Sequence, residues 1–253
     1  MPLIYILLLS FYAHILAATA PPLQSFIIEK QYAHNPDLFT QGLALHQGWL
    51  YESAGLYGHS SIRRYRWPST QPERIVHLAA NDFAEGIAFL QHSLWLLTWR
   101  ERRSYRYDAL LRLHQQTPYS GEGWGLTSDG TYLYMTNGSA CIQKRSNDFK
   151  LLDTWCLPYV RHQRWRLNDL TYQNGHLYIH ILGLDLLLKV NIFQRKLTGI
   201  ADLSPLRNRL ETTGGGVCNG ITTLDNKRLI ITGKNWPSLF VIRWSNDDAI
   251  DLS

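Results

Sequence analysis

The feature that most constrains this chain is a pattern that occurs five times. Gln41-Gly42-Leu43, Glu85-Gly86-Ile87, Trp124-Gly125-Leu126, Asn168-Asp169-Leu170 and Asn219-Gly220-Ile221 each open a short apolar run. A polar turn follows each, as in Ser128-Asp129-Gly130 and Gln173-Asn174-Gly175, and then a second apolar run such as Leu94-Trp95-Leu96 or His176-Leu177-Tyr178. The second run ends on Ser53, Thr98, Thr136, His180 or Thr232, and a third begins soon after, at Ile62, Ser104, Cys141, Leu186 and Leu239. The leading positions 42, 86, 125, 169 and 220 are separated by 44, 39, 44 and 51 residues. Strand-turn-strand units recurring at that period are the signature of propeller blades. Asp-Gly and Asn-Gly between apolar runs are the strongest short hairpin signal. The chain is therefore predicted to be all-β, a five-bladed β-propeller filling residues 21–253 as a single domain. The segment from Phe26 to Gln31 is expected to close the ring beside the last blade, because an open propeller leaves unpaired strand edges.

In this arrangement the residues entering the innermost strands face one mouth of a central channel. Gln41, Glu85, Trp124, Asn168 and Asn219 are equivalent positions and form a ring. Such positions are often polar simply because a propeller channel holds water. Glu85 stands out as a carboxylate among neutral amides and an aromatic, with no cation near it in sequence. Burial beside a Trp would raise its pKa towards the range useful for proton transfer.

Composition narrows the remaining options. Aromatic residues make up 12% of the chain and charged residues 18%, a balance that suits half-buried strands. The formal charge of +5 is compatible with a polyanion. Its densest cluster, Arg100, Arg102, Arg103 and Arg106, is interrupted by Glu101 and followed by Asp108, so it reads as a solvated edge and no nucleic-acid partner is expected. Residues 1–20 are nearly all apolar and end in Ala18-Thr19-Ala20, which reads as a secretory signal peptide, with an uncleaved anchor as the alternative. Export to the periplasm or outside the cell would permit a disulfide. Cys141 and Cys156 either bond across adjacent strands or remain two thiols, and Cys218 is left over. Neither Cys-x-x-Cys nor His-Glu-x-x-His is present, and no metal or other cofactor is predicted.

Several segments also resemble a known family. Phe39-Thr40-Gln41-Gly42-Leu43, Tyr51-Glu52-Ser53-Ala54-Gly55, Phe83-Ala84-Glu85-Gly86-Ile87, Leu97-Thr98-Trp99, Gly121-Glu122-Gly123-Trp124-Gly125, Leu167-Asn168-Asp169-Leu170, Asn219-Gly220-Ile221 and Thr232-Gly233-Lys234-Asn235-Trp236-Pro237 fall in order through all five blades. They are similar to the plant and bacterial glutamine cyclotransferases, five-bladed propellers that turn an N-terminal glutamine into pyroglutamate and release ammonia. The resemblance implies a proton shuttle at Glu85, with Lys234 as oxyanion partner and Asn168 holding substrate carbonyls. It implies substrate binding by Gln41, Glu52, Phe39, Trp99, Trp124 and Asn219, with Glu52 anchoring the amine or supporting the shuttle. Peptides or proteins led by glutamine are the implied partners, met by a monomer. Two positions depart from the family pattern. Leu182 stands where the family usually carries a pocket Trp, and Asp169 replaces a Glu. Activity is expected to persist at a reduced level. The competing reading is a propeller that keeps the scaffold as a peptide- or protein-binding module and has lost turnover.

Overall fold

The computed structural model describes residues 21–210 and 215–245. The signal peptide expected over 1–20 lies outside the described residues. Five four-stranded antiparallel sheets make five blades. Their inner strands are Thr40–His46, Ala84–Leu90, Leu126–Ser128, Leu167–Gln173 and Cys218–Thr223. The ring closes as expected: Phe26–Ala33 pairs antiparallel with Ser238–Trp244 and forms the outer edge of the fifth blade.

The second strand of each blade is buried on both faces, and alternate residues serve alternate neighbours. In Ser93–Thr98, Leu94 and Leu96 pack towards the first blade with Tyr51 and Ile62, while Trp95 and Leu97 pack towards the third with Leu126 and Leu133. The core is thus five separate hydrophobic layers, one between each pair of adjacent blades, rather than one central mass. Each blade carries a fourth strand that the repeat does not reveal, such as Leu113–Pro118, whose residues are almost all exposed. Cys141 and Cys156 lie directly opposite each other on neighbouring strands of the third blade and are joined by a disulfide, while Cys218 is a buried thiol. The arginine cluster is dispersed among local partners: Arg103 pairs with Asp82, Arg100 with Glu122, and Arg106 bonds Ser93.

Glycine at the start of the inner strands sets how closely the blades approach the axis. A Cβ on Gly86 would lie 2.4 Å from the Leu126 nitrogen, and one on Gly125 would lie 2.5 Å from the Asn168 oxygen. Only a residue without a side chain lets neighbouring inner strands come this near. In the fourth blade Asp169 occupies the equivalent place and reaches on to the fifth, where its Oδ2 accepts the Ile221 N–H at 2.9 Å.

Candidate active site

Four of the five inner strands break register at this same point. The pairing slips between Thr40 and Gly42, Ala84 and Ile87, Leu167 and Leu170, and Cys218 and Ile221. Such a bulge interrupts the ladder and re-aims the side chains within it. The residues at these bulges include Gln41, Glu85, Asn168 and Asn219. The second-strand hydroxyls hold the bulged backbone in place. Ser53 donates to the Glu85 carbonyl at 2.6 Å, and Thr136 donates to the Asn168 carbonyl at 2.8 Å.

The side chains of Gln41, Glu85 and Asn168 meet at one mouth of the channel, in a cavity of about 320 Å³. Phe39, Gln41, Glu85, Trp99, Trp124, Asn168 and Lys234, all anticipated from the sequence, line it, together with Leu56, Phe83, Arg166 and Leu182. A directed chain of hydrogen bonds orders its floor. Asn219 Nδ2 donates to Gln41 Oε1 at 3.0 Å, and Gln41 Nε2 donates to Glu85 Oε1 at 3.0 Å. Asn219 therefore sits behind Gln41, fully buried, and is not part of the lining. The other Glu85 oxygen, Oε2, is buried without a hydrogen-bond partner, and so is Asn168 Nδ2. Two residues that line the same cavity thus each carry a buried polar atom without a partner, and leaving such an atom buried and unpaired costs about 1–3 kcal/mol.

Burial pushes the Glu85 carboxyl well above its ordinary range; Lys234 opposes this, and the negative charges of Asp169, Glu122 and Glu101 add to it. Lys234 is itself pulled below its usual value by burial, against the attraction of Glu85 and Asp169. Its ammonium lies 4.5 Å from the centroid of the Phe39 ring, a cation–π contact. Asp169, fully enclosed, is also raised by burial. The aromatic walls are braced from outside by Glu122, whose Oε2 accepts the indole N–H of both Trp99 (2.8 Å) and Trp124 (3.0 Å).

Glu52 does not join the cavity. Its carboxylate is enclosed within the first blade, taking hydrogen bonds from His34 Nε2 (2.9 Å), Thr40 Oγ1 (2.6 Å) and Tyr65 OH (2.8 Å). Burial would raise its pKa, but the His34 charge and these hydrogen bonds outweigh that and hold it low. With both oxygens engaged inside the blade and only 1% of its surface exposed, it is out of a substrate amine's reach. Phe83, Leu56 and Arg166 escaped the sequence reading because they stand just before the repeated motif or in loops. Phe83 had a signal in the word Phe-Ala-Glu-Gly, and its ring packs edge-on to Trp99 and Phe39.

The fold and this constellation define a five-bladed propeller with a buried carboxyl–amide–ammonium site at one mouth of its channel. The glutamine cyclotransferase family profile matches residues 3–244, and the chain belongs to that family. It is 31% identical over 229 residues to the glutaminyl-peptide cyclotransferase of Arabidopsis thaliana, covering 87% of this chain and 71% of the relative. The crystal structure of Myxococcus xanthus glutaminyl cyclase superposes with a TM-score of 0.79 at 31% identity, covering 89% of this chain and 98% of that one. A Bacteroides thetaiotaomicron protein of unknown function, at a TM-score of 0.57 and 15% identity over 80% of this chain and 58% of its own, shares the fold alone.

Proposed function

We propose that this chain is a glutaminyl-peptide cyclotransferase, with Glu85 as its proton shuttle. The observation that carries the reading is that Glu85 and Asn168, each with a buried polar atom left unpartnered (Oε2 and Nδ2), line one cavity with Trp99 and Trp124. In the reaction the α-amine of an N-terminal glutamine attacks its own side-chain amide carbon. A five-membered lactam forms, and the former amide nitrogen leaves as ammonia. Both reacting groups belong to one residue, so the enzyme contributes a fixed conformer, proton transfer and charge stabilisation more than proximity.

Glu85, ionised, takes the proton from the attacking amine at Oε2. Gln41 holds Oε1 meanwhile, keeping the carboxyl oriented. The same carboxylic acid then returns the proton to the departing nitrogen, a double role suited to a group whose pKa has been raised towards neutrality. Asn168 Nδ2 and the Lys234 ammonium supply positive potential for the oxygen that gains charge in the tetrahedral intermediate, inside a site where water is largely excluded. Trp99 and Trp124 flank the glutamine stem. The substrate class is peptides or proteins with N-terminal glutamine. Export to the periplasm or medium fits the leader-like first 20 residues and the disulfide of the third blade. A ring already closed on itself is expected to work as a monomer.

Ammonia release from Gln-Gln and Gln-Ala by the purified chain, run beside Glu85→Gln, tests this. The wild type should turn over, and the variant should lose about 100-fold or more in kcat. A wild type silent on a panel of glutamine-led peptides would refute the enzyme reading and leave the scaffold as a binding module.

A further inference from the structure

One charged residue of the cavity has no part in the chemistry above. Arg166 lies at the rim, exposed, with its guanidinium 5.3 Å from the centroid of the Trp124 ring. Its carbonyl accepts the Leu182 N–H at 2.9 Å, so the two residues stand side by side on the same wall. Among the described residues no carboxylate comes within ion-pair distance of it, whereas the acids nearest the entrance are occupied. Glu122 is held by two indoles and Arg100, and Glu101 by the Tyr57 hydroxyl and the Phe83 N–H. Of the charged residues lining the cavity, Glu85 and Lys234 are buried and face each other, and Arg166 alone is open to solvent.

We propose that Arg166 is a specificity residue that receives a carboxylate of the residue following the N-terminal glutamine. The inference rests on the cyclotransferase reading of the site. Both atoms that close the lactam belong to the first residue, so that residue must lie at the bottom against Glu85. Whatever follows it points to the mouth, where Arg166 stands. A guanidinium offers five N–H donors in a planar fork that matches a carboxylate, and an indole face behind it shields the pair from water on one side. The carboxylate can come from an Asp or Glu side chain or, in a dipeptide, from the free C-terminus. A lysine or arginine at the second position would meet like charge.

The test compares kcat/KM for Gln-Glu-NH2 (side-chain carboxylate), Gln-Ala-OH (terminal carboxylate), Gln-Ala-NH2 (neither) and Gln-Lys-NH2, in wild type and in Arg166→Gln and Arg166→Lys. For a rim ion pair the wild type should favour each acidic peptide over Gln-Ala-NH2 by about threefold to fivefold, expressed in KM. The ratio should fall to about one in Arg166→Gln, persist in weakened form in Arg166→Lys, and shrink in about 1 M NaCl, where the screening length is about 3 Å. Whichever of the two acidic peptides shows the preference identifies the source of the carboxylate. Wild-type ratios of one for both, or a preference that survives intact in Arg166→Gln, overturn the proposal. Calorimetric affinities of the same peptides for Glu85→Gln separate the two readings. Tighter binding of the acidic peptides without wild-type turnover sinks the enzyme reading and keeps Arg166. Turnover without any charge preference does the reverse.

Discussion

Glu52→Gln separates a structural carboxylate from a substrate-binding one. Glu52 is 1% exposed and receives three hydrogen bonds, one of them from His34. The second ring nitrogen of His34 lies 2.7 Å from the Trp236 carbonyl, so both nitrogens face acceptors and the ring is held as an imidazolium. Burial pulls the histidine pKa down, but the Glu52 charge, the Glu52 hydrogen bond and the Trp236 carbonyl carry it above its ordinary 6.5. Replacing the acid by an amide keeps the shape but strips the charge opposite a buried cation and turns an NH2 group towards donors. Breaking a buried pair in this way costs about 3–5 kcal/mol. For a domain of this size each kcal/mol moves Tm by about 2–4 °C, so the expected loss is about 10 °C. The pH dependence follows from the two shifts. The lowered Glu52 contributes stability that is complete above 4.5 and is lost as pH falls through its folded value. The raised His34 contributes stability that is complete below 6.5 and is lost as pH rises through its folded value. The difference in Tm between wild type and variant should therefore be greatest between pH 4.5 and 6.5. Scanning calorimetry across pH measures it, and ammonia release gives KM. A variant within about 2 °C of wild type whose KM has risen about tenfold would refute the reasoning and return Glu52 to the substrate.

Other perturbations probe the rest of the site. Activity should rise with pH as Glu85 ionises and fall as Lys234 loses its proton. Because the Lys234 charge lowers the Glu85 pKa, Lys234→Met should move the acid limb of the profile upwards, measured against wild type on one peptide, whose own amine titrates near about 8. Gly86→Ala would press a methyl group to 2.4 Å from the Leu126 nitrogen and 2.6 Å from the Gly125 carbonyl carbon, and backbone cannot yield as a side chain does. The expected cost is about 3 kcal/mol, a fall of about 6–12 °C in a thermal melt. Glu122→Ala removes the shared acceptor of both indoles, so KM for Gln-Ala should rise about tenfold, with a smaller change in kcat, by steady-state kinetics.

How much of this was legible depended on what each residue packs against. The inner three strands of every blade are sandwiched between neighbours, so they read as apolar runs, and five of them at one period announced the propeller. The fourth strand touches a neighbour on one edge only. Leu113-His114-Gln115-Gln116-Thr117-Pro118 carries almost no apolar pattern, although it pairs with Arg103–Tyr107. The floor of the site was readable because it is built from the repeat itself: Gln41, Glu85, Trp124 and Asn168 occupy one position of one unit. Glu52 misled because a motif records that a residue is needed and not what it faces; its neighbours Tyr51 and Ser53 point the other way on the same strand. Arg166 belongs to the connection between the third and fourth units and Leu56 to a loop inside the first, and in neither place does the repeat predict direction. Leu56, at φ 93°, holds a backbone angle rare for a branched side chain, which only coordinates could reveal.

Closing the ring also sets an order in time. The strand that seals the ring, Phe26–Ala33, is among the first of these segments to be synthesised, and its partner, Ser238–Trp244, is among the last. The pairing spans more than 200 residues, as the bond between Gln31 and Ser238 at a separation of 207 illustrates. Single blades are local hairpins that can form as they emerge, but the finished circle, and with it the Asn219–Gln41–Glu85 chain that joins the last blade to the first two, must wait for the whole polypeptide. A nascent chain therefore carries no assembled site, and the latch fastens only once the last blade has left the ribosome.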